Sequence, residues 1–223
     1  GGHGDRAAAV GGLELAFWDL NSKLAGEPAY RQIAASYGNN TVGETVPVYA
    51  AGGYYHPQKR LNGLVDELKG YQDLGFQDFK IKIGGASLSE DIKRLEAAIK
   101  IAGSSHRIAV DANGRFDLET AQNYARELAE YELRWFEEPG DPLDFELNRH
   151  ISKAYVGPIA TGENLFSTVD TLNLVRYGGM RTDKDIFQMD PGLSYGLTEF
   201  ARMLGVIETA GHSRSFVYPH GGH

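Results

Sequence analysis

Apolar positions along this chain follow one period at the start and a different, cyclic order afterwards. Over residues 5–25, Leu13, Phe17, Leu20 and Leu24 recur at helical spacing, which predicts an amphipathic helix. Asp5 is its expected N-cap, and Gly26 with Pro28 its stop. A shorter helix is predicted over Tyr30–Tyr37, before the break at Gly38-Asn39-Asn40. Strand-like runs then fall near 46–51, 78–83, 107–111, 133–137, 158–162, 186–190 and 215–219. Helical patterns lie between them. One carries Leu61, Leu64, Leu68 and Leu74 and stops at Gly75. The next runs from a cap at Ser89 through Ile92, Leu95 and Ile99 to Gly103. Another, capped by Asp117, turns Ala121, Ala125 and Leu128 inward. Two more pass through Leu172 and Val175 to Gly178, and through Leu197, Phe200, Leu204 and Ile207 to Gly211; residues 142–155 show a weaker helical pattern.

Alternating strand–helix units of this kind predict parallel strands joined by right-handed crossovers. The expected fold is therefore α/β, a (β/α)7β TIM-like barrel over residues 44–223, with strands one to seven present and the last strand lacking. Residues 1–43 form a helical segment ahead of it, and the chain reads as an internal stretch of a longer protein. An open doubly wound sheet is the alternative, but it concentrates ligands at one switch-point crevice. Here a charged residue closes every strand from the second to the seventh, as barrel active sites require.

Those strand-closing residues carry the chemistry. Asp111, Glu137, Glu163 and Asp190 follow one another at intervals of 26, 26 and 27 residues, with Lys80 and Lys82 on the strand before and His220 thirty residues after. Asp111, Glu137 and Glu163 end neighbouring strands, and three hard carboxylates suit Mg2+. Glu138 competes with Glu137, but adjacent strand residues face opposite ways and the spacing favours Glu137. Alternatively, these acids are helix caps or salt-bridge partners at loop starts. Lys80 and Lys82 share one face of a strand. If that face is interior, mutual repulsion lowers one ammonium pKa and makes a general base; otherwise the pair lies on an exposed strand. His220 and Asp190 end adjacent strands, so a His–Asp hydrogen bond is expected to raise the imidazole pKa and create a proton donor. His223 is a nearby competitor for that role. Asn113 either reaches a substrate oxygen or stabilises the turn at Gly114.

Composition narrows the partners. A formal net charge of −8 with no basic block argues against nucleic acid. The absence of cysteine excludes disulfides and thiolate ligands. No apolar run has the length of a membrane span and no signal-peptide pattern is present, so no membrane partner is expected and the cytoplasm is the expected compartment.

Lys80-Ile81-Lys82, Asp111-Ala112-Asn113-Gly114-Arg115, Glu137-Glu138-Pro139, Gly162-Glu163-Asn164, Asp190 and Pro219-His220-Gly221-Gly222-His223 resemble the enolase superfamily, in its mandelate racemase-like subgroup. The resemblance covers nearly the whole chain. It implies that residues 1–43 are the helical end of an α+β capping domain. It also implies Mg2+ ligation by Asp111, Glu137 and Glu163, a base at Lys82 and a His220–Asp190 dyad acting as acid. Lys80 would stabilise developing negative charge, and Lys80 and Asn113 would contact the substrate. The implied reaction is dehydration of a small anionic acid sugar, tartrate-like, to a 2-keto acid, in a homo-oligomer. A racemase or epimerase using the same Lys/His site is the alternative, and a non-catalytic barrel module is a third reading.

Overall fold

The computed structural model describes residues 3–38, 40–43, 45–56, 58 and 60–221. His223 and Asn39 lie outside the described residues. The chain divides into two compact units, one of residues 48–161 and 176–186, the other of residues 1–47, 162–175 and 187–223.

Among the described residues the sheet has six strands in sequential order: β1 (Ala50–Gly52), β2 (Phe79–Lys82), β3 (Ile108–Asp111), β4 (Trp135–Glu137), β5 (Ile159–Thr161) and β6 (Ile186–Phe187). The pairs from β1 to β5 are parallel. The helices that alternate with them are α3 (Arg60–Asp73), α4 (Leu88–Ala102), α5 (Leu118–Leu128), α6 (Phe145–Ala154), α7 (Thr168–Tyr177) and α8 (Leu197–Thr209), after α1 (Gly4–Ala25) and α2 (Ala29–Tyr37). The α/β alternation expected from the sequence is thus present.

In the first unit, strand residues of alternating parity have different surroundings. Phe79 lies near the ring of Tyr71 on α3, and Phe136 meets Tyr155 beyond the end of α6 edge-on at 5.8 Å. Phe79, Phe136 and Tyr155, with Ile81, Ile108, Val110 and Ile159, are fully or almost fully buried. The helices contribute Leu64 and Leu68, Leu95 and Ala98, Ala121 and Leu128, and Ile151, all fully or almost fully buried. Each buried leucine or isoleucine side chain contributes roughly 1.5–3 kcal/mol on transfer from water. Residues of the other parity include Lys80, Lys82, Asp111, Trp135 and Glu137. A sheet buried on both faces explains why its strands read as continuous apolar runs with a charge at the end.

Side-chain caps start α4, α5 and α6. Asp117 and Asp144 accept backbone N–H bonds from Thr120 and Leu147. The expected cap at Ser89 is instead Ser87, whose hydroxyl accepts from Glu90 N, because α4 begins at Leu88. Asp5 lies inside the first turn of α1, behind His3, where its charge complements the helix dipole but does not cap it.

In the second unit, α1 packs through small residues. Ala7, Gly11 and Ser22 are buried, whereas Leu13, Phe17, Leu20 and Leu24 are exposed. A Cβ at Gly11 would run into the carbonyls of Ser194 and Pro191. The close approach therefore depends on glycine, and the leucine stripe lies on another face of the helix. The strand expected over 215–219 is reduced to a single parallel bridge, Phe187 to Val217, with Tyr218 N donating to Phe187 O at 2.8 Å. Ser213 accepts from Ser215 N and turns residues 214–216 into a 3-10 helix, which diverts the segment from longer pairing. At the other end, Val46 and Val48 are exposed and the first strand begins only at Ala50.

Candidate active site

Strand register assembles the first group of charged side chains. Lys82 pairs with Asp111, and Asp111 with Glu137, so three neighbouring strands end in one row at their carboxyl edge. Lys80 Nζ donates to Glu137 Oε1 and lies 3.5 Å from Asp111 Oδ2, while Lys82 Nζ donates to Asp111 Oδ2. Lys80, Asp111 and Glu137 are buried and Lys82 is half-buried. The face is interior, as the general-base argument required, but the electrostatics differ from that argument for Lys80. Burial pulls its pKa down, yet the charges of Glu137 and Asp111 outweigh burial and raise it. Asp111 shows the mirror image: burial pushes its pKa up, and the charges of Lys80 and Lys82 hold it below the ordinary carboxylate value. Two opposite charges at contact outweigh repulsion between like charges on the same strand.

Glu137 has a second close partner. Trp135 Nε1 donates to its Oε2 at 2.8 Å, both residues lying on the same face of β4. Glu138, the competitor, adopts φ 37° and donates its N–H to Ala160 O at 2.9 Å, leaving Glu137 as the member of the row. Asn113 is exposed. Its backbone N–H donates to Asp111 Oδ1 at 2.8 Å and its side-chain amide to Oδ2 at 3.3 Å, contacts that stabilise the turn, one of the two roles expected of it. The carboxylates of Asp111 and Glu137 are hard oxygen donors in a buried setting, in a chain with no cysteine thiolate to offer. They fit a hard divalent cation such as Mg2+.

Behind the end of β2 lies a polar cluster that no sequence pattern announced. Asp91, buried in the first turn of α4, accepts from Tyr55 OH, Tyr124 OH and Gly84 N. Arg94 stacks on the Tyr55 ring and donates to the carbonyls of Gly53 and Lys82. Burial and the Asp91 charge raise both tyrosine pKa values, so both phenols are donors near neutrality. The cluster fixes the chain at the Lys82 carbonyl and just beyond it. Two tyrosines and an acid separated by tens of residues give no local signal.

The remaining candidates belong to the second unit. Glu163 stands two residues past the end of β5. Gly162, at φ 127°, leaves no room for a Cβ beside Met189 Sδ and Gln188 N. His220 Nε2 is 2.9 Å from Glu163 Oε2. Asp190 accepts from Gly192 N and Leu193 N at 2.6 and 3.1 Å, and also from Gly221 N. Asp190 thus holds the backbone beside His220, and the imidazole has Glu163 as a carboxylate neighbour.

A parallel α/β sheet that gathers buried acids and lysines at the carboxyl edge of its strands defines the class: a fold of the barrel-enzyme type. The chain belongs to the family of enolase C-terminal domain-like proteins, matching it over residues 63–222. It is 31% identical over 222 residues to an arabinonate dehydratase of Saccharolobus solfataricus, covering 100% of this chain and 57% of that enzyme. Its fold matches the L-talarate dehydratase of Polaromonas sp. JS666, solved with Mg and L-glucarate, with a TM-score of 0.80 and 29% identity over 96% of this chain and 56% of that one. A mandelate racemase/muconate lactonizing enzyme from a marine actinobacterium, solved with magnesium, gives a TM-score of 0.80 and 28% identity over 97% of this chain and 57% of that one. The chain thus spans little more than half the length of these relatives, and it is a mandelate racemase-like member of the enolase superfamily. Among the described residues no helix is long and apolar enough to cross a membrane.

Proposed function

We propose that this chain carries the catalytic part of a magnesium-dependent acid-sugar dehydratase. The observation that carries the reading is the row of buried Lys80, Asp111 and Glu137 and half-buried Lys82 at the ends of three neighbouring strands. The dehydratases among its relatives support the reaction class. Asp111, Glu137 and Glu163 would hold the ion. Bound there, Mg2+ supplies positive charge that acidifies a substrate carboxylate's α-proton. The two lysines and the two carboxylates of the row cancel in formal charge, so a dication is best accompanied by Glu163 and by an anionic substrate.

The residues then divide the work. Lys82, as the free amine, removes the α-proton. Lys80, kept protonated by its two carboxylate neighbours, stabilises the negative charge that develops on the substrate carboxylate. His220, as the imidazolium, gives its proton to the departing β-hydroxyl, which leaves as water, and Asp190 positions it. The enol that remains tautomerises to a 2-keto acid. The motifs around Asp111, Gly140 and Gly162 resemble those of enzymes for tartrate, so the first substrate to try is D-tartrate, with oxaloacetate as product.

The test uses the full-length natural protein with Mg2+ and a panel of four- to six-carbon acid sugars, scored for 2-keto acid. Keto-acid formation that stops in excess chelator and resumes with Mg2+ is expected. Inversion of an α-centre without keto acid would make the enzyme an epimerase with the same base. Turnover undiminished by chelator would overturn the metal assignment.

A further inference from the structure

Glu137 has two oxygens, and the structure gives each a different kind of partner. Oε1 faces the Lys80 ammonium, and Oε2 accepts the indole N–H of Trp135 at 2.8 Å. Trp135 is buried and precedes Glu137 by two residues, so strand periodicity puts both on one face. Its register neighbour on β3 is Ala109, itself beside Lys80, and this small residue leaves space next to the indole. Tyr49 meets the indole edge-on at 5.3 Å, and its ring lies 5.8 Å from Lys80 Nζ. The indole is therefore backed on one side and bonded on the other.

We propose that Trp135 is a positioning residue for the metal: its indole N–H claims Glu137 Oε2 and thereby turns Oε1 toward the cation. This rests on the metal reading above. The last torsion of a glutamate is broad and two-fold, so an unrestrained carboxylate spends much of its time turned away from any one ligand position. A hydrogen bond to a charged acceptor is about twice as strong as a neutral one, enough to select one orientation. An indole suits the task for two further reasons. It is a donor only, so it cannot compete for the ion, and it is uncharged, so it does not repel a dication as a lysine or arginine would. Partners of this kind typically contribute 10–100-fold to metal affinity.

The experiment measures Mg2+ binding by calorimetry on chelator-stripped full-length protein, wild type and Trp135→Phe, with circular dichroism and a melting curve for each. Phenylalanine retains an aromatic ring and loses the donor. The expected result is a folded variant whose Kd for Mg2+ is about 10–100-fold weaker. A folded Trp135→Phe with wild-type Kd overturns this inference alone. A wild-type protein that takes up no Mg2+ overturns both it and the metal reading. A second measurement stands if the variant does not fold. In 15N-tryptophan-labelled wild type, the Trp135 indole signal, assigned through its contact with Tyr49, should be protected from solvent exchange at saturating Mg2+. Free exchange of that proton in the Mg2+-saturated protein counts against the proposal as decisively as an unchanged Kd.

Discussion

In the proposed reaction Lys82 and His220 would each carry one of two proton transfers, and each can be removed separately. Lys82 lies at the end of β2 with its ammonium on Asp111, while His220 sits beside Glu163. General acid–base groups typically contribute 10²–10⁴-fold. Lys82→Ala should therefore lower both elimination and exchange of the substrate α-proton with solvent deuterium by at least about 10²-fold. His220→Asn should lower elimination by a similar factor but leave exchange measurable, because the α-proton still has its base. Proton NMR in deuterium oxide follows exchange, and keto-acid formation follows elimination. Exchange that survives in Lys82→Ala and disappears in His220→Asn would reverse the two roles.

Among the elements, α8 shows how one helix borrows a cap from another. Its N-cap is Gly196, which has no side-chain acceptor, and Glu14 of α1 supplies one. The Glu14 carboxylate accepts from Leu197 N at 2.7 Å, Thr198 N at 3.1 Å and Thr198 Oγ1 at 2.6 Å. Burial pushes its pKa up, but the bonds from Thr198 and Leu197 prevail and hold it below its ordinary value of 4.5. A depressed carboxylate contributes stability that is fully present above its unfolded pKa and is lost as pH falls through the folded one. Glu14→Gln should therefore destabilise the protein at pH 7 by about 0.3–1 kcal/mol, the usual worth of a charge at a helix N-terminus. The gap from wild type should close as pH drops below 4.5. Urea melts at a series of pH values measure this. A gap that widens toward acid would contradict the assignment of Glu14 as a charged cap.

For the whole molecule, the proposed ion links stability to ligand concentration. The unfolded chain does not hold Asp111 beside Glu137, so Mg2+ binds the native state preferentially. At a free concentration of 100 times Kd, that adds about 2.7 kcal/mol to unfolding. Thermal melts should therefore move upward as Mg2+ is added to chelator-stripped protein, and the increment should vanish in Asp111→Asn. Equal melting temperatures with and without Mg2+ in the wild type would leave the carboxylates without an ion to hold.

The sequence by itself determined the α/β alternation and the positions of most strands. Apolar strand runs, and helical patterns stopped at Gly75, Gly103 and Gly178, are local signals that tertiary structure does not need to supply. It also determined that Lys82, Asp111 and Glu137 close consecutive strands, because parallel strands with sequential order make sequence spacing a proxy for adjacency. Local pattern was insufficient where a partner lies far along the chain. The leucine stripe of α1 marked a helix but not the face that packs, since Gly11 admits backbone carbonyls more closely than any leucine could. Residues 215–219 read as a strand by composition, but pairing depends on the neighbour, and β6 spans only two residues. Lys80 and Lys82 read as mutually repelling ammonium groups because only the strand itself was visible. Folding placed Glu137, 57 residues away, against Lys80, and its charge helps raise that lysine's pKa. The same folding placed the Trp135 indole on the other oxygen of that carboxylate. Electrostatics and hydrogen bonding are decided by distance in space, which spacing along the chain reports only where the topology is regular.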